Sequence, residues 1–104
     1  MKDTHIQEFI AKLPKLDGGK GTVAIGERIR LAFIREMNDA NPLIITKWNE
    51  IKTNTVQNCK ELTAFLTNGS ASTWIRRQGL SADTYLRIIG FPKYEPKKEK
   101  NTDD

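Results

Sequence analysis

The sequence is poor in the residues from which catalytic and metal centres are built. Its 104 residues include one cysteine and one histidine. His5 has no second metal ligand near it in sequence, and no paired carboxylates or glycine-flanked serine indicate a catalytic centre. Cys59 falls on an apolar helical face, which favours a small core residue in a reducing compartment, with a reactive thiol as the alternative. We therefore expect neither an enzyme nor a protein with a cofactor or metal.

Long apolar runs are also missing. No stretch is long enough to span a membrane, and the first residues lack a signal-peptide pattern, so we expect a cytoplasmic protein. A hydrophobic fraction of 38% with 29% charged residues fits one small soluble domain.

The formal net charge of +4 is unevenly placed along the chain. Residues 93–104 carry four lysines and four acids, so this segment adds no net charge, and its polarity and prolines predict a disordered tail. Residues 40–91 hold six basic and three acidic side chains, a difference of +3. This mild positive bias would attract phosphate, although it is far smaller than that of a histone.

Apolar periodicity predicts an all-α fold, a compact domain of five or six helices. Residues 1–21 are expected to hold a short N-terminal helix, Thr4 to Leu13, and a glycine-rich linker, and residues 22–92 the main helical domain. The flexible linker stretch reads from Pro14 to Thr22, so its last residue is the first of that domain. The first helix has an apolar stripe that either docks on the domain or pairs with a second copy. Inward-facing residues are expected on the first helix (Ile6, Phe9, Ile10, Leu13), on Val23 to Met37 (Ile25, Ile29, Ala32, Phe33, Met37) and on the helix opened by Asn41-Pro42 (Ile44, Trp48, Ile51).

The stretch from Asn58 to Ile89 is the most informative. A short amphipathic helix should end at Thr67-Asn68-Gly69, where a left-handed backbone can close its last turn. Ser70 or Ser72 can cap a second short helix that ends at Gly79, and Ser81 can cap a third, from Ala82 to Ile89, closed by Gly90. Two short helices joined by a glycine-containing turn constitute a helix-turn-helix.

The second helix of this pair carries hydroxyl, guanidinium and amide groups, and no acid occurs from Thr67 to Ala82. Such groups bind phosphates and base edges. The alternative is an ordinary solvated face around a buried Trp74. On the first interpretation the candidate DNA-binding residues are Asn58, Lys60, Asn68, Ser70, Ser72, Thr73, Arg76, Arg77 and Gln78.

Four segments resemble, in order, the helices of lambda-repressor-like helix-turn-helix domains, the phage repressor and Cro class. They are IGERIRLAF at Ile25 to Phe33, KELTAFL at Lys60 to Leu66, STWIRRQG at Ser72 to Gly79 and LSADTYLRIIG at Leu80 to Gly90. The resemblance implies a five-helix all-α fold in which the major groove is met by Ser70, Ser72, Thr73, Arg76 and Arg77. It also implies that Gln57, Asn58 or Lys60 contacts the DNA backbone. The span between Met37 and Cys59 is longer than in that family, so we expect an inserted element there.

Two functions follow from these patterns. The first is a sequence-specific DNA-binding transcription regulator, such as a repressor of phage or bacterial type, that binds double-stranded DNA as a homodimer with helix 70–78 in the major groove. The alternative is a small helical adaptor or inhibitor that binds another protein through Trp74, Tyr85 and the N-terminal apolar stripe.

Overall fold

A computed structural model describes residues 2–91. These residues form an all-α fold without strands, as predicted, and contain seven helices. The predicted domain limits at residues 21 and 22 fall inside the second helix, and the predicted tail, residues 93–104, lies outside the described residues. The helices are α1 (Lys2–Ala11), α2 (Lys20–Ala40), α3 (Leu43–Thr46), α4 (Trp48–Thr53), α5 (Gln57–Leu66), α6 (Ala71–Arg76) and α7 (Ala82–Ile88).

Helix α1 covers the domain with its predicted apolar stripe. Ile6, Phe9 and Leu13 are buried, and the Phe9 ring meets Trp48 edge-on with centroids 5.2 Å apart. The stripe therefore docks on its own chain, which is the first of the two alternatives raised by the sequence. Because the last turn ends at Ala11, Leu13 belongs to the connection rather than to the helix.

The long helix α2 forms the centre of the fold, and α6 packs against it more extensively than any other helix does. The buried face of α2 differs from the predicted one: Arg30 is only 5% exposed and Gly26 is buried, whereas Ile25 is 44% exposed and Ala32 is exposed. The expectation that Ile25 and Ala32 face inward is therefore wrong. The physical reason is that α6 approaches over Gly26, where no side chain intervenes, and this close approach sets the rotation of α2.

The segment Pro14 to Thr22, expected to be a flexible linker, runs into the first turn of α2 and is hydrogen-bonded to the rest of the fold. Helix α2 already begins at Lys20, and the residues before it are fixed by hydrogen bonds. Arg30 donates through Nη1 to the Pro14 carbonyl at 2.8 Å, and Leu16 is only 7% exposed. Asp17 forms a single parallel bridge with Ser70. The segment is thus an ordered part of the domain that connects α1 to α2 and pairs with the residue before α6.

The inserted element is a pair of short helices rather than one. Asn41 accepts the Leu43 backbone N–H through Oδ1 at 3.1 Å, as the predicted cap would. The first residue of α3 is Leu43, however, so Pro42 precedes the helix and does not occupy its first position. Ile44, Trp48 and Ile51 are buried, as predicted, although the helix breaks at Lys47 between α3 and α4. This break accounts for seven helices where five or six were expected.

Candidate nucleic-acid interface

The corner between α5 and α6 is closed by side chains. Asn68 accepts the Ser70 backbone N–H through Oδ1 at 2.9 Å, and Ser70 accepts the Thr73 N–H through Oγ at 3.2 Å. The predicted Ser70 cap is confirmed. A left-handed backbone at Asn68 or Gly69 is not, because neither residue has a positive φ. The Asn68 side chain makes the turn instead, in the manner of an Asx turn.

Trp74 fixes the orientation of α6. Its side chain is fully buried, its Nε1 donates to the Asn68 carbonyl at 2.9 Å, and its ring packs edge-on against Phe65 and Phe33. On the same helix Ala71 is fully buried against α2. Because 71 and 74 point inward, positions 72 and 76 lie on the opposite, exposed side of α6.

Arg77 points back into the fold. Its guanidinium carbon lies 3.6 Å from the Phe65 ring centroid and 4.5 Å from that of Trp74, and Nη1 donates to the Phe65 carbonyl at 2.8 Å. Burial lowers the pKa of the Arg77 guanidinium, while the adjacent Tyr85 phenol opposes that change. We conclude that Arg77 joins the ends of α5 and α6, a role that its sequence position next to Arg76 does not reveal.

Beyond α6 the chain turns sharply into α7. Gly79 adopts a left-handed φ of 87° and Gly90 one of 75°, so both predicted helix-terminating glycines are confirmed. Ser81 caps α7 by accepting the Thr84 N–H at 3.4 Å, as predicted. Glu36 of α2 accepts the Ala82 N–H at 3.0 Å, which fixes the start of α7 on the central helix.

The nine candidate residues divide into two groups. Asn58, Asn68, Ser70 and Arg77 are bound within the fold: Asn58 donates through Nδ2 to the Gly90 carbonyl at 3.0 Å, and the other three make the contacts described above. Lys60, Ser72, Arg76 and Gln78 are exposed, and Thr73 is half-buried. The Ser72 hydroxyl is also hydrogen-bonded to that of Ser70, at 3.2 Å. The structure therefore brings Ser72, Thr73, Arg76 and Gln78 together along α6 and the turn after it, with Lys60 on the first turn of α5.

A shallow groove runs beside this face, between α2 and residues 78–81. Its volume is about 410 Å³, and its lining includes the exposed Ile25 together with Arg28 and Leu80. Sequence reasoning missed this groove because it placed Ile25 in the core. The same reasoning missed the proximity of residues 15–20 to the start of α6, since that contact joins distant parts of the chain.

None of the helices within residues 2–91 combines the length and apolar character needed to cross a bilayer. Over the same residues, no three His, Cys, Asp or Glu side chains come together as metal ligands. Cys59 is buried, which agrees with its predicted place in the core. No family model matches the chain, and no curated protein or solved structure is significantly similar to it.

Proposed function

We propose that the protein is a sequence-specific DNA-binding transcription regulator and that the exposed side of α6 enters the major groove. The observation that carries the proposal is the anchoring of this helix. Trp74 and Ala71 are fully buried on one side, and Ser72 and Arg76, one helical turn apart, are exposed on the other. A hydroxyl and a guanidinium on a rigid backbone can bond base edges at defined positions.

The electrostatic setting of α6 supports this proposal. No acidic residue occurs from Thr67 to Ala82, so no carboxylate in this stretch opposes an approaching phosphate. Gln78 is exposed just beyond the last turn of α6 and supplies an amide of the kind that pairs with adenine. The base-reading set that we propose is therefore Ser72, Thr73, Arg76 and Gln78. Lys60 is kept as a phosphate contact.

The protein-binding alternative fits the burial less well. It relied on Trp74, Tyr85 and the stripe of α1 as anchors, but Trp74 and Phe9 are buried and Tyr85 is half-buried. Anchors of a protein interface must be accessible before the partner arrives. An adaptor would have to use other surfaces, such as the groove beside α6.

The size of α6 bears on stoichiometry. With six residues, the helix presents little more than one and a half turns to a groove. One such helix contacts only a few base pairs, and repressors of this general type bind two half-sites about one DNA turn apart. We therefore include a homodimer on a two-fold operator in the proposal. Sedimentation of a selected duplex with excess protein should give two chains per duplex.

The test is a low-salt selection of binding sequences followed by titrations of the selected and scrambled duplexes. Loss of a base contact in Arg76→Ala should weaken binding to the selected duplex by about 5- to 150-fold, corresponding to roughly 1–3 kcal/mol, and relax its preference at one base pair. The matched control is Arg87→Ala, which removes the same charge from α7, where Arg87 pairs with Asp83 at 3.2 Å on the surface.

Arg87→Ala should lower the affinity for both duplexes by the same small factor. Both variants should keep the wild-type melting temperature, because Arg76 and Arg87 are exposed. The proposal fails if wild type binds no duplex at low salt or binds without salt dependence. It also fails if the two variants behave alike on the selected duplex.

A further inference from the structure

We propose that residues 15–20 form a second part of the DNA-binding face, in which Lys15 and Lys20 contact backbone phosphates beside the site read by α6. This inference rests on the proposed function. It assigns a binding role to a segment that the sequence presents as a mere connection. The partner group is the phosphodiester of double-stranded DNA, which Lys contacts as a point charge without reading sequence.

The placement follows from the bridge between Asp17 and Ser70. The Asp17 N–H donates to the Gly69 carbonyl at 2.8 Å, and the Ala71 N–H donates to the Asp17 carbonyl at 3.0 Å. A Cβ built on Gly18 would lie 3.4 Å from the Cβ of Ala71. The backbone of this segment is therefore fixed against the residues that start α6, directly before the exposed Ser72.

Lys15 precedes the bridging residue Asp17 in sequence, and Lys20 follows it. The Lys15 carbonyl lies 3.5 Å from where a Cβ of Gly69 would be, and Lys20 is the first residue of α2. Both lysine side chains are exposed. The bridge fixes this segment beside the start of α6, and we infer that a duplex bound by α6 would meet both ammonium groups through its phosphates.

Asp17 is also exposed and lies between the two lysines in sequence. Its carboxylate repels phosphate and so weakens the attraction of the pair. The bridge uses only the backbone of Asp17, so Asp17→Asn removes the charge and leaves the segment in place. This substitution gives the inference a prediction of opposite sign, a gain in affinity.

The experiment measures affinity against salt concentration for wild type, Lys15→Ala/Lys20→Ala and Asp17→Asn, on the selected duplex and on a scrambled one. Each lost phosphate contact should reduce the slope of log affinity against log salt by about 0.9, so the double variant should lose about 1.8. The loss should be the same on both duplexes. Asp17→Asn should bind both more tightly than wild type.

The matched control is Lys47→Ala/Lys52→Ala, which removes the same charge from two exposed positions, one between α3 and α4 and one in α4. It should keep the wild-type slope. Suppose that wild type binds its selected duplex and that Lys15→Ala/Lys20→Ala keeps the full salt slope, as the control pair does. The phosphate role of residues 15–20 is then wrong, and the proposed role of α6 stands. If wild type binds no duplex at low salt, both the role of residues 15–20 and the role of α6 are wrong.

Discussion

The Arg77 guanidinium stacks on the Phe65 ring at 3.6 Å and donates to the carbonyl of that same residue at 2.8 Å. One side chain thus makes both a cation–π contact and a hydrogen bond to the end of α5. The centroid of the Trp74 ring lies 4.5 Å from the same guanidinium carbon. Arg77 therefore connects the turn after α6 to the end of α5.

Arg77→Ala should therefore destabilise the protein, whereas Arg76→Ala should not. Loss of a half-buried cation–π contact and one hydrogen bond corresponds to about 2 kcal/mol in the free energy of unfolding. The exposed Arg76 should contribute no more than about 0.5 kcal/mol. Arg77→Lys should recover only part of the loss, because an ammonium lacks the planar stacking surface. Chemical denaturation of the three variants checks this, and equal stability of the two alanine variants would contradict it.

The same cluster predicts a shifted titration. Tyr85 stacks on Phe65 with centroids 4.0 Å apart. Burial raises the pKa of the Tyr85 phenol, the Arg77 charge lowers it in part, and Glu61 raises it again. Since the folded-state pKa lies above the unfolded value of about 10, the contribution of neutral Tyr85 to stability is complete below about pH 10 and is lost as the pH rises through the folded pKa.

Phenolate absorbance measures this directly. The chain has two tyrosines, so the wild-type titration minus that of Tyr85→Phe isolates Tyr85. We expect its midpoint above about 10, the value of an exposed tyrosine. A midpoint at or below that value would show that the phenol is in water and that the aromatic cluster is open.

The parts of this fold that local chemistry determines could be predicted from the sequence. Ser70 and Ser81 cap the helices that follow them, and Gly79 and Gly90 end them with positive φ. Each of these features depends on a few neighbouring residues, because a cap or a helix-terminating glycine satisfies backbone groups within one turn. The amphipathic pattern of α5 is likewise local, and it was sufficient to predict that Cys59 lies in the core.

Features that depend on distant contacts could not be predicted. Arg30 counts as polar in any periodicity, yet its guanidinium reaches the Pro14 carbonyl and the residue is buried. Gly26 adds nothing to a hydrophobic pattern, although Ala71 lies so close that a side chain at position 26 would clash with its backbone. Arg76 and Arg77 look alike in sequence, and it is the contact with Phe65 that distinguishes the half-buried Arg77 from the exposed Arg76. The structure places Arg76 at the surface and gives Arg77 contacts within the fold, and the DNA contacts of the candidate residues stay predictions.

The docking of α1 leads to a third prediction. Phe9 is buried and packs on Trp48, so Phe9→Leu should lower the free energy of unfolding by about 1 kcal/mol through loss of the aromatic pair and of packing. Glu8→Ala, at an exposed neighbour on the same helix, should leave it within about 0.5 kcal/mol. Denaturation followed by Trp fluorescence measures both. If α1 served to pair chains instead, Phe9→Leu would change the mass in solution and leave the stability of the monomer unaltered.

The crossing of α2 and α6 gives the sharpest test of the packing, because two glycines of the same helix should respond in opposite directions to one substitution. A Cβ on Gly26 would lie 3.1 Å from Cα, Cβ and the carbonyl oxygen of Ala71, so Gly26→Ala must push the helices apart. We expect a loss of roughly 1–3 kcal/mol, which exceeds the helix-propensity gain of about 1 kcal/mol.

Gly21, in the first turn of α2, has nothing within 4 Å of its Cβ position. Gly21→Ala should therefore stabilise the protein by about 0.4–1 kcal/mol, because alanine restricts the unfolded chain without a clash. Thermal and chemical denaturation of the two variants measure the contrast. A Gly26→Ala protein as stable as Gly21→Ala would mean that α6 does not lie on the backbone of α2, and the exposed direction of Ser72 and Arg76 would then have to be assigned anew.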